Sequence, residues 1–216
     1  MSYSYICSFG SHCQTANTLK KLALKKNSYP FDWIFSNPEM ITSCIEDNFT
    51  CFLDKSQHIG RSSTSSGHKI YGNIFNHHNI TKEDDYLYFQ RCVNRFEQLL
   101  KKDEDKIFFI VIPWGLPEIK EINEHNNLKY QESIEKLNDI LKKKTSNFKL
   151  LIINCILNYE KETNEFIKEN IIYVNFTVSS RSGGINFMGT TGKNDDKRLE
   201  DYLMNRFQFE IKDNIK

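Results

Sequence analysis

A cysteine at the start of a predicted helix is the residue best placed for chemistry. Cys13 follows an apolar run that ends at Gly10, and apolar residues at helical spacing come directly after it. Ser11 and Gln14 match a capping box, which predicts Ser11 as the N-cap and places Cys13 in the first turn. Unpaired N–H groups and the helix dipole favour the thiolate there, and the thiolate is the nucleophile. The alternative is a small side chain packed under the first turn.

A base and an acid for such a nucleophile can also be found in the sequence. His77 and His78 are candidates for the general base of a Cys–His pair. Adjacent residues of an extended chain point to opposite sides, so only one of them is expected to face a given site. Asp32 lies between two aromatic residues and is expected to be partly buried. It would orient the histidine or, as the alternative, accept backbone N–H groups in a tight turn.

The elements that must position these residues alternate between strand and helix. Continuous apolar runs predict buried parallel strands, and amphipathic patterns predict the helices between them. The predicted strands are 3–9, 106–113, 148–155 and 170–176. The predicted helices from residue 84 onward are 84–100, 127–144, 161–169 and 199–207. This order predicts an α/β fold of three layers, a largely parallel sheet with helices on both faces and Cys13 at the end of the first strand. The length predicts a single domain, 1–216.

Ligands of parallel sheets bind outside the carboxyl ends of the strands. The segments expected to meet there are 10–14, 114–118 and 179–184. Their backbone N–H groups, hydroxyls and one arginine could stabilise an oxyanion or bind an anion. The candidates for this role are Ser11, His12, Gln14, Arg181, Ser182 and Gly183. The sequence contains no Walker loop and no dinucleotide fingerprint.

Composition narrows the function classes. The formal net charge is +1, so no overall field indicates nucleic-acid or membrane binding. The N-terminus does not resemble a signal peptide, and no apolar run is long enough to span a bilayer. Six cysteines without C-x-x-C spacing predict reduced thiols, no metal site and a cytoplasmic protein. No cofactor is expected, and the expected partner is a small-molecule or peptide substrate.

Four stretches together resemble a known family, namely 8–14, 29–33, 75–78 and 91–96. The set is similar to a poorly characterised family described as putative papain-like cysteine peptidases, over roughly the first half of the chain. The Gly-Ser-His-Cys and Pro-Phe-Asp-Trp pieces are its most specific parts. The resemblance implies Cys13 as the family's cysteine, His77 or His78 as its histidine and Asp32 as its acid. It also implies a papain-like α+β fold as the alternative architecture.

The second half departs from that resemblance, because its strand–helix–strand units look more like esterase-type α/β folds. The chain also resembles, more distantly, a capsule-biosynthesis family with a Gly-Asn-Cys-Gln start and an acyl-transfer role. The main hypothesis is therefore a cysteine-dependent hydrolase or acyltransferase. One alternative is a non-catalytic α/β module that binds an anionic ligand such as a nucleotide or coenzyme A. A further alternative is an interaction domain in which Cys13 has no chemical role.

Overall fold

The computed structural model describes residues 2–113, 128–157 and 162–212. Its elements follow in the order β1 (Ser2–Tyr3), β2 (Tyr5–Ser8), α1 (Cys13–Lys21), α2 (Pro38–Glu46), α3 (Thr50–Leu53), β3 (His58–Gly60), β4 (Ser66–His68), β5 (Gly72–Phe75), α4 (Glu83–Leu100), β6 (Lys106–Ile112), α5 (Leu128–Lys144), β7 (Phe148–Leu157), β8 (Asn164–Lys168), β9 (Ile171–Val178), α6 (Gly189–Arg206) and β10 (Gln208–Phe209). None of the helices in these ranges is both long enough and apolar enough to cross a membrane.

A five-stranded sheet with the strand order β2-β6-β7-β9-β8 lies at the centre of the described chain. The first four strands of that order run parallel, and β8 pairs antiparallel with β9 at the edge. The register places Cys7 beside Phe108, and Phe108 beside Leu150. The predicted α/β class with a mostly parallel sheet is confirmed.

Alternate residues along the strands belong to two separate hydrophobic clusters. Phe108 and Ile110 of β6 pack in a cluster that includes residues of α2, α4 and α5. Ile107 and Phe109 pack in a second cluster, which includes residues of α1 and α6. Since successive side chains of a strand point to opposite faces, both faces of the sheet bury apolar surface. This explains why the strand sequences are continuous apolar runs and do not alternate with polar residues.

Two predicted helices differ from the structure. The helix predicted at 161–169 is wrong, because residues 164–168 form the edge strand β8. Phe166 stacks on Tyr173 of β9 with ring centroids 4.7 Å apart. The segment is too short and has too few apolar residues to bury a helical stripe, whereas pairing with β9 satisfies its backbone. The last helix begins at Gly189, ten residues before the predicted start at 199.

Two histidines, His68 buried and His58 half-buried, stabilise the small sheet formed by β3, β4 and β5. His68 is 2% exposed, and its Nδ1 accepts hydrogen bonds from the N–H groups of Ile70 and Tyr71. Its Nε2 therefore carries the proton and donates to the carbonyl of Cys51 at 3.1 Å. Burial lowers the pKa of His68, as it does for His58 on the neighbouring strand. Both rings are thus held in the neutral form.

This burial predicts a loss of stability in mild acid. The pKa values of His12, His58 and His68 are lower in the folded chain than the ordinary value, and burial lowers that of His12 to about 4. The stability from their neutral forms is complete above about pH 6.5 and is lost as the pH falls toward the folded values. We expect the free energy of unfolding to decrease from about pH 6.5 downward, by roughly 3 kcal/mol from His12 alone. Urea unfolding at a series of pH values measures it.

The matched control for this pH dependence is His12→Gln. Its free energy of unfolding should depend less on pH, because the contribution of His12 is removed while those of His58 and His68 remain. A free energy of unfolding that stays constant between about pH 6.5 and 5 would contradict the prediction.

Candidate functional site

A sharp turn connects β2 to the helix that carries Cys13. Gly10 and Ser11 both have φ near +73°, the left-handed region that is unfavourable for Ser11. A Cβ on Gly10 would lie 2.3 Å from Ser36 Oγ and 2.6 Å from the carbonyl oxygen of Phe31, so only glycine fits. The predicted N-cap is wrong: His12 is the N-cap, with extended backbone and no side-chain capping bond. Ser11 belongs to the turn because its positive φ and the path of the chain exclude the capping geometry.

Two hydroxyl side chains brace this turn from the core. Ser36 Oγ donates to the carbonyl of Phe9 at 2.8 Å and accepts the N–H of Ser11 at 3.0 Å. Thr15 Oγ1 donates to the carbonyl of Gly10 and accepts the N–H of Val111 on β6 at 3.1 Å. The turn is therefore tied both to the segment before α2 and to the neighbouring strand. Such bracing holds a strained conformation in place.

Cys13 is the first residue of α1 and is 9% exposed. Burial raises the pKa of its thiol above the ordinary value, and the backbone N–H of Cys13 itself opposes this effect more weakly. Burial thus opposes the stabilisation of the thiolate that the helix N-terminus is expected to provide.

Cys13 lines a pocket of about 220 Å³ together with His77. His12 also lines it, as do residues 33–35, residues 183–185, Ile74 and Asn76. The pocket wall is largely apolar. His77 is exposed and is separated from the end of β5 by Asn76 alone. One of the two candidate histidines thus lines the same pocket as the cysteine.

His78 does not line this pocket. Its Nδ1 lies 2.8 Å from Asp85 Oδ1, and its ring stacks on Tyr88 with centroids 4.9 Å apart. Asp85 also accepts the N–H of Asn79 at 2.8 Å, so the pair fixes the start of α4 against the loop. The expectation that the two histidines face different surroundings agrees with these contacts. His77 is the one that lines the pocket with Cys13.

Asp32 is buried, at 1% exposure, and its carboxylate contacts Lys25 and Tyr29 and not a histidine. Its Oδ2 lies 2.5 Å from Lys25 Nζ and accepts the N–H of Tyr29 at 2.9 Å. Burial raises the pKa of the Asp32 carboxyl, and Lys25 opposes this. Asp32 does not line the pocket of Cys13. The alternative stated for this residue, a carboxylate that accepts a backbone N–H in a turn, describes these contacts.

The candidates for anion binding are divided by the structure. His12 and Gly183 line the pocket, whereas Ser11, Gln14, Arg181 and Ser182 do not. Gln14 is fully buried, and neither polar atom of its side chain has a hydrogen-bond partner among the described residues. Arg181 is exposed, and Ser182 Oγ accepts the N–H of Gly184 at 3.0 Å. The segment 114–118 lies outside the described residues.

The loop at 179–188 reaches the pocket because it is anchored at both sides. Asp195 of α6 is 1% exposed and accepts the N–H groups of Ser179 and Ser180 at 2.8 and 3.1 Å. On the other side, Asn17 of α1 donates to the carbonyl of Ile185 at 3.2 Å. These bonds hold residues 183–185 beside Cys13.

Several pocket residues were not identified from the sequence as site residues. Trp33 is the last residue of the Pro-Phe-Asp-Trp piece, and Phe35 follows that piece closely. The sequence predicts Asp32 as the functional residue of the same piece. Phe35 is 38% exposed although it is a large aromatic residue, which is a feature visible only in the structure. Ile74 and Ile185 come from distant parts of the chain, so no local pattern could link them to Cys13.

Comparisons with known proteins agree with the resemblance seen in the sequence. No curated protein and no solved structure matches the chain. The likeness to a capsule-biosynthesis family has no support from them. A family model matches one part of the chain, which contains Cys13 and Asp32 and ends before His77. The matched residues are 4–71, and the family is described as putative papain-like cysteine peptidase (DUF1796).

Proposed function

We propose that this protein is a cysteine-dependent hydrolase in which Cys13 is the nucleophile and His77 the general base. The observation that carries the proposal is that both residues line the same pocket, with Cys13 at the N-terminus of a helix directly after a sheet strand. The family match over residues 4–71 supports a cysteine-hydrolase reading in general terms. His78 is not used, since it pairs with Asp85.

The resting nucleophile in this proposal is the thiol of Cys13, since burial raises its pKa. As the sulfur attacks the carbonyl carbon of an acyl substrate, His77 takes the thiol proton. The tetrahedral intermediate collapses, the bond to the leaving group breaks, and the imidazolium gives that proton to the leaving group. Water then attacks the thioester while His77 takes its proton, which releases the carboxylic acid and restores the thiol. With another acceptor in place of water, the same steps give acyl transfer.

The start of α1 offers donors for the oxyanion. The first N–H groups of a helix have no intrahelical acceptor. Ser11 donates its N–H to Ser36 Oγ, and Thr15 donates its N–H to the carbonyl of His12. The N–H groups of Cys13 and Gln14 are the ones we assign to the oxyanion, which forms next to the sulfur. Ser11 is thereby a structural residue of the turn in this proposal.

The finer architecture forms part of the same proposal. The two hydrophobic clusters support a three-layer arrangement, with α1 and α6 on one face of the sheet and α2, α4 and α5 on the other. β2 is the first strand of the five-stranded sheet along the chain, and it leads through the Gly10 turn to Cys13. This is a strand–turn–helix mount for a nucleophile.

Alkylation by iodoacetamide tests the assignment of the base without knowledge of the substrate. We expect His77→Ala to slow the alkylation of Cys13 near neutral pH by about 10- to 100-fold, because no group then accepts the thiol proton. Mass spectrometry of the peptide that contains Cys13 gives the rate constant. His78→Gln is the matched control and should change the rate by less than about twofold.

Two outcomes would refute the assignment. If His78→Gln slows alkylation and His77→Ala does not, the base is the other histidine. If neither variant changes the rate and Cys13 reacts no faster than glutathione, the pocket has no Cys–His pair.

A further inference from the structure

A second groove adjoins the pocket of Cys13. It has a volume of about 370 Å³ and shares Phe35 and Ile74 with that pocket. The N–H of Phe35 donates to the carbonyl of Ile74 at 3.0 Å, so these two residues form one ridge between the two depressions. A ligand that is longer than the pocket can therefore continue across the Phe35–Ile74 ridge into the groove.

Large apolar side chains are exposed along both depressions. Ile185 lines the pocket and is 46% exposed, Ile70 lines the groove and is 65% exposed, and Phe35 lies between them at 38%. No Asp, Glu, Lys or Arg side chain of the described residues lines the pocket. Single exposed apolar residues are ordinary, but three of them around adjoining depressions indicate a surface that an apolar ligand covers.

The polar side chains of α2 and β5's preceding turn that line the groove are already bonded within the protein. The hydroxyl oxygens of Ser43 and Tyr71 lie 3.3 Å apart. Glu39 accepts a hydrogen bond from Ser133 Oγ on α5 at 3.2 Å. A ligand gains little from such groups, because a new bond to them replaces one that the protein already has.

The segment before α2 uses its polar groups in the same way. Ser36 Oγ bonds to the turn before α1, as described above, and Asn37 Oδ1 accepts the N–H of Met40 at 2.8 Å. Every polar side chain that lines the groove among the described residues thus has a partner in the protein. The surface that remains for a ligand is mainly the apolar one of Phe35 and Ile70.

The position of His77 indicates which part of the substrate this apolar surface receives. His77 is exposed, and in the proposed mechanism it gives a proton to the leaving group. The leaving group is therefore on the solvent side of Cys13. The acyl group then lies against the apolar wall of the pocket and the Phe35–Ile74 ridge.

We propose that the substrate carries a long aliphatic acyl chain, which fills the pocket of Cys13 and crosses the Phe35–Ile74 ridge into the groove beside Ile70. The inference rests on the proposed function, because Cys13 sets the position of the acyl carbonyl. It deepens that function by naming the substrate class, an ester, thioester or amide of a fatty acid whose chain is longer than the pocket alone can hold.

The experiment uses non-reactive amides and the Cys13→Ala variant, so it does not depend on the reactivity of the thiol. Calorimetry gives the dissociation constants of N-methylbutanamide, N-methyloctanamide and N-heptylacetamide. N-methyloctanamide should bind about 10- to 100-fold more tightly than N-methylbutanamide, because its four additional methylenes are covered by the ridge and the groove. N-heptylacetamide is its isomer with the chain on the leaving side, and it should bind at least about threefold more weakly than N-methyloctanamide.

A second substitution locates the chain. Adding Ile70→Ser to Cys13→Ala should weaken the binding of N-methyloctanamide about threefold or more and change that of N-methylbutanamide by less than about twofold. The matched control is Ile59→Ser, since Ile59 is 48% exposed on β3 and lines neither depression. It should leave both affinities within about twofold.

The inference is overturned if the longer acyl chain does not bind more tightly, if N-heptylacetamide binds best, or if Ile70→Ser and Ile59→Ser have equal effects. Failure of the proposed function has a different signature, since it is seen in the alkylation rates of Cys13 and not in these affinities.

Discussion

Cys13→Ala is expected to lower the hydrolysis of p-nitrophenyl butanoate to the background rate, a loss on the order of 10⁴-fold or more. The reason is that no other thiol and no hydroxyl side chain of the described residues lines the pocket with His77. The apolar wall formed by Trp33, Ile34 and Ile185 suits the short acyl chain of this ester. Release of nitrophenolate, corrected for the rate in buffer, measures the effect.

The matched control for this loss is Cys51→Ala. Cys51 is half-buried, lies in α3 and does not line the pocket, so its removal should leave the rate within about twofold. Cys13→Ala should also unfold at nearly the urea concentration of the parent protein, which excludes misfolding as the cause. If Cys13→Ala retained the activity of the parent protein, the nucleophile would lie elsewhere and the proposed mechanism would be wrong.

Lys25→Met is expected to destabilise the fold by about 3–5 kcal/mol, a large part of a typical domain's stability. The Lys25 Nζ lies 2.5 Å from Asp32 Oδ2, and the two side chains are only 11% and 2% exposed. Methionine preserves most of the volume but leaves the carboxylate of Asp32 buried without its cation. Urea unfolding near pH 7 measures the change.

The pH dependence separates this electrostatic cause from a packing defect. Without Lys25, the folded pKa of Asp32 rises further above its unfolded value, since burial already raises it. The folded variant then binds a proton more readily than the unfolded chain, so the deficit should shrink as the pH falls from about 7 to about 5. The double variant Lys25→Met with Asp32→Leu should regain part of the loss.

An exposed pair provides the reference for Lys25→Met. Lys197 lies 2.7 Å from Asp201 one turn away on α6, with both side chains exposed. Lys197→Met should leave the free energy of unfolding almost unchanged, because solvent screens the pair. Equal effects of the two substitutions, or a Lys25→Met deficit that is independent of pH, would contradict the view of Lys25 and Asp32 as a buried ion pair.

The same buried pair shows why the role of Asp32 could not be read from its neighbours in sequence. An acid between Phe31 and Trp33 predicts burial and the need for a partner, and the burial is confirmed. The partner is set by the path of the chain after α1, which places Lys25 next to the carboxylate of Asp32. Local sequence contains no information on that approach.

The helix cap and the short helix illustrate a second kind of limit. Ser11 and Gln14 have the spacing of a capping box, but the Gly10 turn forces Ser11 to a positive φ and shifts the cap to His12. Residues 164–168 form a strand because β9 offers an unpaired edge, which outweighs the weak helical preference of the segment. In both cases the surrounding structure overrides the preference of the local pattern.

The sequence by itself determined the parts of this protein that depend on long, periodic burial. The apolar runs of β6, β7 and β9 and the amphipathic patterns of α4 and α5 established the α/β class, and the glycine turn established a cysteine at the start of α1. Only the tertiary structure decided which histidine lines the pocket of Cys13, because alternation along a chain shows that neighbours diverge but not which of them faces a given pocket. That choice follows from the packing of His78 on Tyr88 and its bond to Asp85, which leaves His77 at the pocket.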